Sequence, residues 1–145
     1  MPGPKFSASK VVRPSWRAKR FTLAQANSTL PLVRKIVADI VRVHASAIAL
    51  HNEFGSAKPK DQQIIQDRLE DMQQIVGGYV EELHEIGCEI KDHETGLLDF
   101  IGRHRGHDVC LCWRLGEDQI QFWHELSAGV AGRQPVSTLQ EDQII

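Results

Sequence analysis

The sequence predicts an α+β fold in which a long antiparallel helical hairpin packs on a small antiparallel β-meander of three to four strands. The first observation is that apolar residues recur every three or four positions through residues 32–86, which is typical of amphipathic helices. The second is that apolar and polar residues alternate after residue 88, which indicates strands. A chain of 145 residues has room for one modest hydrophobic core. We therefore predict a single domain over residues 21–136.

Two long helices joined by a short link account for the first pattern. Thr22 opens a capping-box sequence, and Pro31 is predicted to end a short helix and begin a longer one that runs to Phe54. The polar residues after Phe54 favour a link, and Asp61 is predicted to cap the next helix. Gly87 is predicted to end that helix. Because the link is short, the two helices should lie antiparallel.

Short strands separated by turn residues follow the helices. Their predicted ranges are Cys88–Lys91, Leu97–Gly102, Val109–Leu115 and Gln119–His124. The residues of the third strand that should face the helices are Val109, Leu111 and Trp113. The residues of that strand that should face away are Cys110, Cys112 and Arg114. In the fourth strand, Ile120 and Phe122 should share one face, which places Trp123 on the other. A loop of small residues is predicted over 127–136.

Charge is distributed unevenly along the chain. Residues 1–20 carry six basic side chains and no acid, whereas the remainder carries eleven basic and nineteen acidic side chains. We predict that residues 1–20 form a disordered basic arm, with nucleic acid or an anionic surface as a weaker alternative partner. Residues 137–145 are predicted to form a frayed tail.

Several features favour a cytoplasmic protein without a membrane span. No apolar run approaches the roughly 20 residues that a bilayer-spanning helix needs. The N-terminal residues also lack the apolar segment of a secretory signal. Cysteine is present three times, as Cys88, Cys110 and Cys112, and the last two are too close together for good disulfide geometry. An odd number of unpaired thiols suits a reducing compartment.

The sequence from Phe21 to Pro135 resembles a prokaryotic family catalogued as domain of unknown function 2203. The segments that carry the resemblance are Phe21–Asn27, Lys91–Phe100, Leu111–Glu117, Phe122–Leu126 and Gly129–Pro135. The resemblance implies a prokaryotic, cytoplasmic protein. It implies no reaction, cofactor or binding residue.

No residue pattern defines a reaction or a cofactor site. The nucleophile elbow G-x-S-x-G, the nucleotide-binding glycine motifs and the zinc-protease motif H-E-x-x-H do not occur. We therefore predict no catalytic residue and no cofactor, and a non-catalytic binding or interaction protein that forms a homodimer. Its predicted binding residues are Asp99, Arg114, Trp123, His124 and Arg133. Trp123 is predicted either to be exposed beside arginine, which is typical of interface hot spots, or to cap the edge of the core. An open sheet edge offers a strand to a second copy or to another protein.

Two alternatives stay open. In the first, the protein is a small enzyme or a protein that binds an anion or nucleotide, with Arg114 and Arg133 clamping the anion and His124 as acid or base. In the second, Cys110 and Cys112 bind zinc from one strand face, although their spacing is not that of a zinc knuckle.

Overall fold

The computed structural model describes residues 16–141 and confirms the α+β prediction. Its long helices are α1 (Leu23–Phe54) and α2 (Pro59–Ile86), with 3-10 turns at Trp16–Ala18, Val130–Gly132 and Val136–Thr138. Its strands are β1 (Cys88–Asp92), β2 (Leu97–His104), β3 (His107–Arg114), β4 (Phe122–Glu125) and β5 (Gln134–Pro135). All neighbouring strands pair antiparallel in the order β1-β2-β3-β4-β5, so the sheet is a meander. It has five strands, whereas three to four were predicted. The extra strand has only two residues, too few for alternation to reveal it.

Helix α1 is continuous through Pro31, so the predicted break at that residue is wrong. Proline removes one backbone hydrogen bond and costs about 3 kcal/mol inside a helix. Buried residues on both sides of the proline, Leu30 and Val33 among them, share one stripe that packs on the sheet. A break would uncover that stripe, and its burial outweighs the lost bond. The predicted capping box at Thr22 is present, with reciprocal bonds to Gln25.

Helix α2 begins two residues before the predicted cap. Its N-cap is Lys58, with Pro59 in the first turn, so Asp61 lies inside the helix rather than before it. An acidic side chain there still interacts favourably with the positive end of the helix dipole. Gly87 ends α2 as predicted, in a left-handed conformation (φ +116°) that residues with a Cβ rarely adopt.

The hairpin covers one face of the sheet, and the main hydrophobic core lies between them. The strand residues on this inner face include Phe100 and the predicted trio Val109, Leu111 and Trp113, all fully buried. Ile120 also joins this core, but it lies before β4, in an irregular segment. Phe122 pairs with Cys112 on the opposite face, so the prediction that Ile120 and Phe122 share a face is wrong.

Both described chain ends pack on the sheet. Trp16, 7% exposed, covers Ile101 and Cys110 on the face away from the helices, which brings the ordered region forward of the predicted start at Phe21. At the other end, the backbone N–H of Gln140 donates to Nδ1 of His104 over 2.9 Å. Order therefore extends into both predicted flanking segments, while the rest of the predicted arm and tail, residues 1–15 and 142–145, lies outside the described residues. Across residues 16–141, no helix combines the length and apolar composition that a membrane crossing requires.

Candidate functional site

A concavity of about 490 Å³ lies on the outer face of the sheet, the face turned away from the helices. Strands β1 to β4 form its floor, and the loop after β4 and the N-terminal 3-10 turn form its rim. Its polar lining residues are Arg17, Lys91, Asp92, Thr95, Asp99, Arg114 and His124. Its apolar lining residues are Leu97, Cys110, Leu126 and Val130, with Gly129 beside them. This volume is that of a typical small-molecule site.

Three buried polar side chains from three strands meet at this floor. Asp99 on β2 lies directly opposite Cys112 on β3. His124 on β4 lies opposite Cys110, which is the neighbour of Cys112 on the same face of β3. One ligand-type atom from each of Asp99, Cys112 and His124 lies within 4.8 Å of the others. Asp99 and His124 are each 3% exposed, and Cys112 is fully buried. We call this group the floor cluster.

Both ring nitrogens of His124 have partners. Nδ1 lies 2.8 Å from the carbonyl oxygen of Glu125 and must donate to it, because a carbonyl oxygen only accepts. Nε2 lies 3.3 Å from Oδ1 of Asp99. The bond to Asp99, with a further contribution from Cys112, raises the pKa of His124 to about 10 although burial opposes the shift. His124 is therefore held with a proton on each nitrogen at neutral pH.

Arg114 is the cation of the pocket that has no side-chain partner. Among the described residues, no carboxylate or carbonyl accepts a hydrogen bond from its guanidinium, and its Nε is buried without a partner. Glu117 lies close in the chain, but its carboxylate accepts the backbone N–H of Arg114 over 2.8 Å and pairs with Arg133. Lys91, by contrast, is already paired with Glu89 over 2.7 Å. A buried guanidinium nitrogen without an acceptor is a costly arrangement that an anionic ligand would relieve.

Two of the five predicted binding residues lie elsewhere. Arg133 pairs with Glu117 and stacks on Phe122, with 4.1 Å between the guanidinium carbon and the ring centre, so the predicted clamp of Arg114 and Arg133 does not form. Trp123 is 2% exposed and packs in the helix-side core, where its Nε1–H donates to Oγ1 of Thr138 over 3.0 Å. The prediction of an exposed Trp123 is wrong, because β4 begins at Phe122 and pairs Trp123 with inward-facing Leu111.

The two predicted zinc cysteines share the outer face but have different surroundings. Cys110 lies beneath Trp16, and burial raises the pKa of its thiol to about 12. Cys112 instead belongs to the floor cluster. The sequence correctly predicted that both cysteines, Arg114 and Asp99 lie on strands. The floor cluster was missed because it depends on strand register, which alternation within single strands does not determine.

These features define a class of α+β protein in which a helical hairpin covers one face of a meander and a polar pocket occupies the other. The chain belongs to the family of uncharacterized conserved proteins DUF2203, whose model matches residues 19–136. This confirms the family resemblance. Neither the comparison with curated proteins nor that with solved structures gave a significant match. The family match carries no reaction or ligand, so the functional argument comes from the pocket.

Proposed function

We propose that this protein is a non-catalytic binding protein for a small organic anion, which it holds in the outer-face pocket. The observation that carries the proposal is the unpartnered guanidinium of Arg114 in a concavity of about 490 Å³. A guanidinium binds a carboxylate or phosphate through two parallel hydrogen bonds, and the binding is strongest where water is displaced. Three of the five predicted binding residues, Asp99, Arg114 and His124, line this pocket and support its choice as the site.

The apolar rim indicates what the rest of the ligand is like. Leu126 and Val130 are 43% and 42% exposed, and both lie at the pocket. Covering large exposed apolar side chains with an apolar part of the ligand removes their surface from water, which makes the free energy of binding more favourable. A carboxylate that carries a short aliphatic or aromatic group fits both ends, with the carboxylate on Arg114 and the apolar group on Leu126 and Val130.

Binding without catalysis is the interpretation that the surrounding groups support. Burial raises the pKa of Cys88 and Cys110 to about 12 in each case, and a protonated thiol is a poor nucleophile. In this structure Nδ1 of His124 contacts the carbonyl oxygen of Glu125 and Nε2 contacts the carboxylate of Asp99, so both nitrogens interact with protein groups.

A panel of anions tests the proposal. We expect an amphipathic carboxylate such as benzoate or octanoate to raise the melting temperature more than inorganic phosphate does. Arg114→Ala should lower the affinity at least tenfold, and Arg114→Lys should restore only part of it, because lysine keeps the charge and loses the paired geometry. Arg42→Ala, at an exposed position on α1, is the matched control and should bind like the wild type. Equal binding by Arg114→Ala and the wild type, or a flat response of the wild type to the whole panel, would refute the proposal.

The homodimer is the second part of the proposal, and a stripe on α2 supports it. Ile64 and Ile75 are 54% and 49% exposed, and their 11-residue spacing places them on the same side of the helix. Arg68 and Asp71 lie between them and are also exposed. If two copies of α2 pack antiparallel, Ile64 of each meets Ile75 of the other and Arg68 meets Asp71. The stripe is therefore self-complementary, as a two-fold interface requires.

The sheet edges give this dimer less support than α2 does. Strand β5 has two residues, one of them Pro135, which has no backbone N–H to donate. Strand β1 is short and carries a register irregularity between Ile90 and Asp92. Short and irregular edges discourage pairing with a second sheet.

A charge exchange tests the dimer. Sedimentation velocity at high protein concentration should detect a dimer of the wild type, and Arg68→Asp should weaken it because it sets two acids against each other. The double variant Arg68→Asp/Asp71→Arg should restore association, since the pair is exchanged. A wild type that stays monomeric at high concentration, or a double variant no better than the single one, would contradict this interface.

We also propose a prokaryotic cytoplasmic location. Three free cysteines, all buried, support a reducing compartment. Fractionation of the source cells should recover the protein with cytoplasmic enzymes, and recovery with the exported fraction would contradict the proposal.

A further inference from the structure

We propose that the floor cluster is a binding site for a divalent metal of the zinc type, held by Asp99, Cys112 and His124. The inference goes beyond the anion-binding proposal and does not depend on it. It also differs from the predicted Cys110–Cys112 pair, because Cys110 lies under Trp16 and only Cys112 takes part.

The separation of the candidate ligand atoms fits a tetrahedral ion. A nitrogen and an oxygen ligand that each lie 2.0–2.1 Å from zinc are about 3.3–3.4 Å apart at the tetrahedral angle. Nε2 of His124 and Oδ1 of Asp99 are 3.3 Å apart. The remaining separations, to the sulfur of Cys112, lie within 4.8 Å, so a small side-chain rotation brings the thiolate into range. Three strands of one sheet position the ligands, and a rigid scaffold of this kind favours a metal site.

The surroundings of His124 match those of a metal ligand. Nδ1 donates to the carbonyl oxygen of Glu125 over 2.8 Å, which fixes the ring orientation and turns Nε2 towards Asp99 and Cys112. Ligating histidines in metalloproteins almost always donate their second N–H to a carbonyl or carboxylate in this way. Here the partner is a backbone oxygen, which cannot rotate away.

The ligand types select the class of metal. A thiolate with an imidazole suits zinc and chemically similar ions such as cobalt(II), whereas calcium and magnesium prefer oxygen ligands throughout. Asp99 and His124 line the pocket, so the fourth position of the tetrahedron would be reached from it. Three protein ligands with one accessible position are typical of zinc sites that take a water or an exogenous ligand. Binding of the ion releases two protons to solvent, the thiol proton of Cys112 and the Nε2 proton of His124, so zinc affinity should fall as the pH is lowered.

Zinc and cobalt(II) are the probes, and no organic anion is present in the experiment. Purified full-length protein, stripped with a chelator and dialysed against zinc, should retain about one zinc per chain by elemental analysis and melt at a higher temperature. Cobalt(II) should give a thiolate-to-metal charge-transfer band together with the visible bands of a tetrahedral ion. Cys112→Ala should lower zinc affinity on the order of 100-fold or more and abolish the charge-transfer band, while Cys110→Ala should keep both.

Further variants separate the metal site from simple misfolding and from the anion proposal. Asp99→Asn and His124→Gln should weaken zinc binding while the chelated variants keep the circular dichroism of the chelated wild type. Arg42→Ala, at an exposed position on α1 outside the pocket, should bind zinc like the wild type. Because no organic anion is present, failure of metal binding and failure of anion binding can be distinguished. The proposal is overturned if the wild type binds no zinc and shows no charge-transfer band with cobalt. This result does not depend on whether any variant folds. It is also overturned if the band survives in Cys112→Ala.

Discussion

At the scale of single residues, Trp123 shows how one position in the register changes a functional interpretation. The sequence leaves two positions open for it, an exposed one near arginines, which is typical of an interface hot spot, and one at the edge of the core. In the fold it is 2% exposed, contacts His104 with 4.4 Å between ring centres, and donates to Thr138. Its role is therefore to join β4 to the C-terminal segment and to close the core.

Replacing Trp123 tests this structural role directly. We expect Trp123→Ala to lower the free energy of unfolding by about 3–5 kcal/mol, because a large side chain leaves a cavity in a packed core. Thr138→Val, which removes the hydroxyl that accepts from Trp123 and donates to the carbonyl oxygen of Pro135, should cost about 1–2 kcal/mol. Urea unfolding measures both. An alanine variant as stable as the wild type but unable to associate would restore the hot-spot interpretation.

At the scale of elements, α2 contains a defect that the structure does not require. Gly77 and Gly78 lie inside the helix, and a Cβ added at either position would meet no atom within 4 Å. Neither glycine has a positive φ. Glycine inside a helix costs about 1 kcal/mol relative to alanine, so the pair lowers stability without a packing reason in a single copy.

The double variant Gly77→Ala/Gly78→Ala should therefore be more stable than the wild type by about 1–2 kcal/mol. The melting temperature should rise by a few degrees. Thermal unfolding at low concentration, where the protein is monomeric, is the appropriate measurement. Gly55→Ala is the matched control, since that residue also meets no atom within 4 Å but lies at the helix end. Destabilisation by the double variant would show that the glycines are needed for a contact.

Also at this scale, the sequence predicted element types more reliably than their boundaries. Helical periodicity over 32–86 and alternation after 88 depend on which face is buried, and burial decides secondary structure in a packed domain. Local rules failed where tertiary packing opposed them, as at Pro31, which the buried stripe of α1 keeps inside one helix. The two-residue strand β5 has no local signal at all.

At the scale of the whole molecule, the site comes from contacts between segments far apart in sequence. The floor cluster needs three strands in the correct register, and the rim needs Arg17, from the 3-10 turn at Trp16–Ala18, beside a loop at 126–130. Asp99, Arg114 and His124 were predicted from their residue types and strand positions. Their convergence, and the separation of Arg133 and Trp123 from them, follow from strand order and register, which no single segment specifies.

One carboxylate, that of Asp108, joins the N-terminal segment to the sheet by ion pairs, in addition to the packing of Trp16, and this gives a prediction about pH. Arg20 donates two hydrogen bonds of 2.8 Å to Asp108, and Arg103 donates a third of 3.1 Å. Desolvation raises the pKa of Asp108, but the hydrogen bonds and charges of the two arginines outweigh it, and the pKa falls below its ordinary 3.8. Because the folded-state pKa is lower than the unfolded one, the stabilisation is present above pH 3.8 and is lost as the pH falls through the folded-state pKa.

Asp108→Asn should consequently reduce stability by up to about 1 kcal/mol at pH 7, since these ion pairs are partly exposed to solvent. The difference between variant and wild type should be unchanged at pH 5 and should shrink on acidification below pH 3.8, where the wild-type carboxyl also becomes neutral. Urea midpoints at three pH values give the comparison. Asp118→Asn, at an exposed position after β3, is the control and should match the wild type throughout. A difference in stability that persists undiminished at the lowest pH would mean that the packing of Asp108, and not its charge, stabilises the N-terminal segment.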